Sequence, residues 1–460
     1  MQFNSIEFFL FFMIGLFIYY KTPSGNKKWQ ILIYSLLFYS CFSIYEVIFL
    51  LLMGVVSWIG ELLIEKYKNR ALFTIMVILL ILPLILLKYF DLFPGAILPV
   101  GISFFTLQAV SSVTDVYLEK NKRTGISEHI TYLSFFPTVV SGPILRKGSF
   151  IKELEKEKIF CYEEVRNGFY RIAIGYLEKF FLADRIGKIV NYIFSIPNEV
   201  SGIQVIIGTI LFGWQLYYDF AGYSHMCLGF AKCFEISIME NFERPYFSTS
   251  VKEFWSRWHR SLSSWLKDYV YIPLGGNQKG KLTRYRNLML TFLVSGVWHG
   301  VGLNFIFWGF LHGLYQIIED LLKDKNNASG KEGSMIRGIK TIFVFCLVDF
   351  AWLFFRASDV KTAFIMLQRI ITDFHPQMIF GNWWFEHGMG KLEYLILVTV
   401  IIFIFIFDKK EEQGASLLTL VKKQKGLVRW ALYIIVLFYM IMTFMIGIGN
   451  DTSTFLYQNF

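Results

Sequence analysis

Apolar stretches at or near bilayer-crossing length recur from one end of this 460-residue chain to the other. They lie at Phe8–Tyr20, Val47–Ile64, Ala71–Leu87, Val205–Leu216, Thr341–Phe355, Leu395–Phe407 and Ala431–Ile446. A backbone in hydrocarbon must satisfy its own amides and carbonyls, so such segments fold as helices. The runs predict an all-α polytopic membrane protein. With 55% hydrophobic and 17% charged residues, the composition lies outside the range of soluble domains. Five scattered cysteines (Cys41, Cys161, Cys227, Cys233, Cys346) contain no C-x-x-C pair, so neither a disulfide framework nor a zinc site is expected. Met1–Ile6 carries no Lys or Arg, which reads as a retained first span and not as a cleaved signal peptide.

The net charge of +10 would suggest nucleic acid in a soluble protein. Here the basic residues gather between apolar runs, so the expected partner is the lipid bilayer and not nucleic acid. Clusters at Lys21–Lys28, Lys66–Arg70, Lys120–Arg123, Lys279–Arg286, Lys323–Lys340 and Lys422–Arg429 face the cytoplasm under the positive-inside rule. Span parity then requires two pairs of crossings. Trp29–Phe42 and Val47–Ile64 hinge near Ser43–Glu46, and Ala71–Leu87 pairs with Leu98–Tyr117. Both termini fall outside, the C-terminus after Ala431–Ile446. Charges at Arg171, Glu178, Lys179, Asp184 and Arg185 interrupt residues 125–200, which are expected to form interfacial or re-entrant helices.

Leu288–Tyr315 starts and ends in cytoplasmic loops by this count, so its 28 residues must enter and return. As one helix they would measure ~42 Å, more than a ~30 Å hydrocarbon core needs. Gly296, Gly300 and Gly302 offer a break or a close helix contact. Within this run stands His299, an ionisable group at a depth where such groups mark function.

From Glu243 to Arg286 nine basic residues face three acidic ones. Ser250 and Glu253 form a capping box that predicts one helix through Trp255, Trp258, His259, Leu262, Trp265 and Leu266. Trp255, His259, Leu262 and Leu266 would share a face, and the helix would lie at the interface.

Several runs here are similar to those of membrane-bound O-acyltransferases (MBOAT). They are Phe254-Trp-Ser-Arg-Trp-His259-Arg-Ser-Leu-Ser-Ser-Trp-Leu-Lys-Asp-Tyr-Val-Tyr-Ile-Pro-Leu-Gly-Gly-Asn277, Val297-Trp-His299-Gly300, Leu98-Pro-Val-Gly-Ile-Ser-Phe-Phe105, Phe135-Phe-Pro-Thr-Val-Val-Ser-Gly-Pro-Ile144, Tyr218-Asp-Phe-Ala-Gly-Tyr223, Glu240-Asn-Phe-Glu-Arg-Pro-Tyr246 and Phe354-Phe-Arg-Ala357. The chain most resembles the bacterial branch that O-acetylates exopolysaccharides such as alginate. The resemblance implies one integral-membrane domain over 1–460, with N-terminal spans in 1–124, a central catalytic block in 125–340 and C-terminal spans in 341–460. It implies roughly 10–13 membrane segments around a central tunnel, with interfacial and re-entrant helices.

In such a fold His299 is the catalytic base, an imidazole that titrates near neutrality and takes a proton from an acceptor hydroxyl. His259 stands beside it. Asp219, Trp298, His312 and Asn277 are expected to line the tunnel or touch substrate. Arg257, Arg260 and Lys267 are candidates for the acyl donor, although such cations also serve as a plain positive-inside face. The implied co-substrate is acetyl-CoA, with no bound cofactor and no metal. The implied acceptor is a polysaccharide outside the cell membrane of a bacterium, with a separate extracytoplasmic acetyltransferase completing the transfer. One alternative is D-alanyl transfer from a carrier protein to teichoic acid. Another, of a different class, is a transporter or export component, which would call for internal repeats between the halves.

Overall fold

The computed structural model describes residues 1, 3, 5–89, 98–322, 333–387, 389–412, 421, 423–431, 433, 434 and 438, and these contain helices and no strand. Contacts divide the chain into two units. One holds residues 1–175, 223–240 and 430–459, and the other residues 176–222, 241–429 and 460. The expected last span, Ala431–Ile446, lies almost wholly outside the described residues, as do parts of the Lys323–Lys340 and Lys422–Arg429 clusters.

The first unit contains α1 (Ile6–Lys21), α2 (Lys27–Ser40), α3 (Ile44–Tyr67), α4 (Arg70–Tyr89), α5 (Ile102–Tyr117), α6 (Ile126–Ser134), α7 (Lys147–Glu155) and α8 (Tyr162–Tyr176). The hinge expected near Ser43–Glu46 is present: the Ser43 hydroxyl accepts from the Tyr45 amide and caps α3. By length and composition α3 and α4 can each cross a bilayer. Most of α4 faces outward, with Met76, Leu80 and Leu84 buried.

α5 is buried from Ile102 to Val116 and packs against α3 and α4. Its hydroxyls turn back onto their own helix, where Ser111, Ser112 and Thr114 donate to the carbonyls of Gln108, Ala109 and Val110. This makes a polar sequence tolerable where water is absent. Gly101, just before α5, has a φ of +80°, and a Cβ there would sit 2.0 Å from the Val139 carbonyl oxygen. The Leu98–Phe105 and Phe135–Ile144 runs thus meet backbone to backbone, which a side chain at 101 would prevent.

A cluster of polar side chains joins α3, α6 and α7. Lys147 donates to both Glu61 oxygens at 2.7 and 2.6 Å. His129 Nδ1 stands 3.3 Å from Glu61, and His129 Nε2 lies 2.7 Å from the Ser57 hydroxyl. All four side chains are buried. A charge buried this deeply persists only with its partner. Glu61→Gln or Lys147→Met alone should each cost about 3–5 kcal/mol of stability. The double variant should recover most of that loss, as read from thermal unfolding of the detergent-purified chain.

The second unit contains α9 (Asp184–Ser195), α10 (Gly202–Cys233, whose last turns belong to the first unit), α11 (Val251–Arg257), α12 (Arg260–Leu266), α13 (Lys281–His299), α14 (Leu303–Leu322), α15 (Ser334–Arg356), α16 (Val360–Thr372), α17 (Trp383–Glu386) and α18 (Lys391–Glu412). α15 is also long and apolar enough to cross a membrane. Ile189, Ile193, Val200, Val205, Leu353 and Met366 form a buried cluster that packs α9, α10, α15 and α16 together.

Two expectations meet the structure here. Leu288–Tyr315 does fold back on itself, as α13 and α14 packed side by side with the break at Gly300–Gly302. The single helix predicted from Ser250 to Leu266 is corrected to two. It starts as expected, with the Ser250 hydroxyl accepting from the Glu253 amide, but Trp258 is extended and His259 is left-handed at φ +43°. The shared face of Trp255, His259, Leu262 and Leu266 is therefore broken. Tertiary hydrogen bonds outweigh local helix propensity at this point: Glu243 N–H donates to the Arg257 carbonyl, and Arg260 N–H to the Asn241 carbonyl.

Candidate active site

Three histidines are buried in the second unit. His299 closes α13 and is 3% exposed. The hairpin that carries it is built on contact between backbones. A Cβ on Gly296 would sit 2.4 Å from the Phe305 carbonyl oxygen, and one on Gly309 2.4 Å from that of Phe292. Asn304, in the first turn of α14, donates to the Ala357 carbonyl at 3.0 Å and ties the hairpin to the end of α15. The ring of His299 then lies 4.8, 5.1 and 5.3 Å from Trp298, Trp308 and Phe355, edge to face in each case.

His259 is 1% exposed, and its Nδ1 lies 3.1 Å from Asn241 Oδ1. The same oxygen accepts from the backbone and hydroxyl of Ser261 at 3.2 and 2.9 Å, which identifies it as the carbonyl end of the amide. His259 therefore carries its proton on Nδ1 and its lone pair on Nε2. Its ring packs 4.6 Å from Phe220 and 6.3 Å from Trp298, so Trp298 touches both His259 and His299. His312 is fully buried on α14, one turn after Trp308, and its Nδ1 accepts from the Trp255 indole at 3.2 Å.

The other expected site residues are not all gathered with these. Asp219 is buried in an ion pair with Lys179, which also bridges to Asp184 at 2.8 Å. Lys179 lies in a π-helical turn, residues 177–183, that aims the ammonium inward. Arg257 pairs with Glu412 at 2.8 Å and with Glu253 at 2.7 Å, and Arg260 pairs with Glu243 at 2.9 Å. Lys267 is exposed, as is Asn277, which accepts from the Tyr271 hydroxyl. Residue type and spacing do not point to Asn241, Trp308, Phe355 or Lys179 as site residues. Asn241 and Phe355 sit inside runs already quoted, whereas Lys179 had no signal beyond a charge in an apolar stretch.

A cavity of about 260 Å³ lies in the same unit. Its lining includes Tyr217, Tyr218, Arg244, Tyr246, Phe345 and Asp408. The rings of Trp258, Trp352 and Trp308 run in contact from Tyr217 at this cavity to His299. Among the described residues, no three His, Cys, Asp or Glu side chains come together as metal ligands.

Residues 25–355 match the family described as MBOAT, membrane-bound O-acyltransferase family. The chain belongs to this family. Its activity class is therefore acyl transfer to oxygen, in a membrane protein. This acyltransferase is 32% identical to "Probable alginate O-acetylase AlgI" of Pseudomonas aeruginosa, over 83% of the chain and 75% of that protein. It is 31% identical to the peptidoglycan O-acetyltransferase of Helicobacter pylori, over 80% of the chain and 79% of that protein. Similarity to the teichoic acid D-alanyltransferase of Streptococcus thermophilus is 29%, over 58% of the chain and 68% of that protein.

The acyltransferase gathers Arg244, Arg257 and Arg337 around Glu412 at the end of α18. The hydrogen bond from Arg257 is the main cause that holds the Glu412 carboxyl below the ordinary glutamate value; partial burial opposes it and Arg244 adds to it. A lowered carboxyl stabilises the fold at pH values above its unfolded pKa, and this contribution is lost as pH falls through the folded value. Glu412→Gln should therefore be less stable than the native protein at neutral pH. The gap in melting temperature should close as the medium is acidified below the ordinary glutamate range.

Proposed function

We propose that this acyltransferase moves an acetyl group from cytoplasmic acetyl-CoA toward hydroxyls of an extracytoplasmic polysaccharide, with His299 as the base. The observation that carries the reading is the position of His299 at the hairpin tip, enclosed by aromatic rings, with His259 one ring away. In the simplest scheme the imidazole of His299 takes the proton of an acceptor hydroxyl as its oxygen attacks the thioester carbonyl. The tetrahedral intermediate collapses with cleavage of the carbon–sulfur bond, and the thiolate takes the proton back from the imidazolium. A dry surround protects the thioester from hydrolysis. In this scheme His259 orients the acceptor next to His299.

Support for acetyl as the cargo comes from the alginate and peptidoglycan O-acetylating relatives, matched over most of the chain. Of the three cations proposed for the donor, Arg257 and Arg260 already hold carboxylates. Lys267 has no carboxylate partner among the described residues, which leaves it the readiest contact for coenzyme phosphates. The polysaccharide acceptor, a separate extracytoplasmic acetyltransferase partner, a bacterial cell membrane and both termini outside complete the proposal.

Purified protein given radiolabelled acetyl-CoA, with and without the products of neighbouring genes, tests it. His299→Ala should remain folded and lose about 10²–10⁴-fold in thioester cleavage or label transfer. Failure of the native chain to bind or consume acetyl-CoA under every condition would sink the coenzyme reading and favour a carrier-delivered acyl group.

A further inference from the structure

We propose that His312 is a second catalytic residue, a neutral imidazole whose Nε2–H donates to the carbonyl oxygen of the acyl donor beside His299. The inference rests on the acyl-transfer reading above. It starts from the Trp255 indole, which donates to His312 Nδ1 at 3.2 Å. An indole nitrogen can only donate, so Nδ1 is held as an acceptor and the single proton of the neutral ring sits on Nε2. That N–H is fully buried and meets no acceptor among the described residues.

A second donor stands next to it in the same condition. Trp308 Nε1 is buried without an acceptor among the described residues, on a ring 5.0 Å from His312. Buried donors are satisfied in the great majority of cases, so two adjacent N–H groups in this condition, beside the ring of His299, are suited to receive an arriving acceptor. Trp308 is also the ring that lies 5.1 Å from His299, which puts the pair of donors next to the base. The surroundings select the ligand. Phe254, Trp255, Phe292 and Trp352 ring His312 and bring no cation. A neutral oxygen with lone pairs and no hydrogens, charged only in the transition state, suits two fixed N–H groups in such a setting. The carbonyl of a thioester is such an oxygen. Held neutral by Trp255, His312 would supply a hydrogen bond without exchanging a proton, while His299 handles the proton.

The test compares two analogues that are not turned over. One is the amide analogue of acetyl-CoA, with NH in place of sulfur, and the other is S-ethyl-CoA, which lacks the carbonyl. The native chain, His312→Phe and His312→Gln are titrated with each. The native preference for the amide analogue should fall about tenfold in His312→Phe. It should survive in His312→Gln, whose side-chain amide keeps a donor at similar reach. In turnover, kcat of His312→Phe should drop about 10²–10³-fold, the usual loss for one donor to a developing oxyanion. If His312→Phe weakens both analogues equally, or keeps the preference, the carbonyl contact is overturned while acyl transfer stands. If the native chain binds neither analogue, the coenzyme A reading fails and takes this assignment with it.

Discussion

A polar atom sealed inside an apolar bundle has no water to fall back on, and this constraint shapes each part of the molecule that matters for chemistry. Asn241 shows how it is met. One carbonyl oxygen collects the Ser261 amide, the Ser261 hydroxyl and His259 Nδ1. In doing so it sets the tautomer of His259 and holds the chain at the break between α11 and α12. Left-handed backbone at a non-glycine residue carries strain, so its presence at His259 means that the surrounding bonds outweigh it. The same rule governs the Glu61 cluster and the Lys179 ion pairs, where each buried charge has an opposite charge in reach.

Much of this was legible from residue types and spacing. Apolar runs give helices whether or not their neighbours are known, so α1, α3, α4, α15 and α18 fall where the hydrophobic pattern put them. The hairpin around His299 followed from its length and its glycines. Features that depend on a partner far along the chain were not legible. Nothing local to Val251–Leu266 indicates a break, because the atoms that cause it belong to Asn241 and Glu243. Asp219 looked like an open polar group for the same reason, its counter-charge lying 40 residues upstream at Lys179. Ser57, Glu61, His129 and Lys147 carry no shared motif, and only folding reveals them as one network.

The basic segment shows how charge counting can mislead about use. Arg257 and Arg260 belong to an excess of cations from Glu243 to Arg286, yet each spends its guanidinium on a carboxylate. Glu412, far along the chain on α18, gathers three arginines of the second unit. Net charge describes the face such a segment turns to its surroundings; it does not say which cations remain available to a ligand.

The contact between α13 and α14 has a bearing on how this protein can change over time. The aromatic shell of His299 is made of bulky rings, and one ring can replace another with modest repacking. Gly296 and Gly309 have no such latitude, since each α-carbon faces a carbonyl oxygen of the neighbouring helix and no residue is smaller than glycine. Divergence therefore has room to proceed through the rings around His299, while the glycine seam that holds the histidine stays as it is.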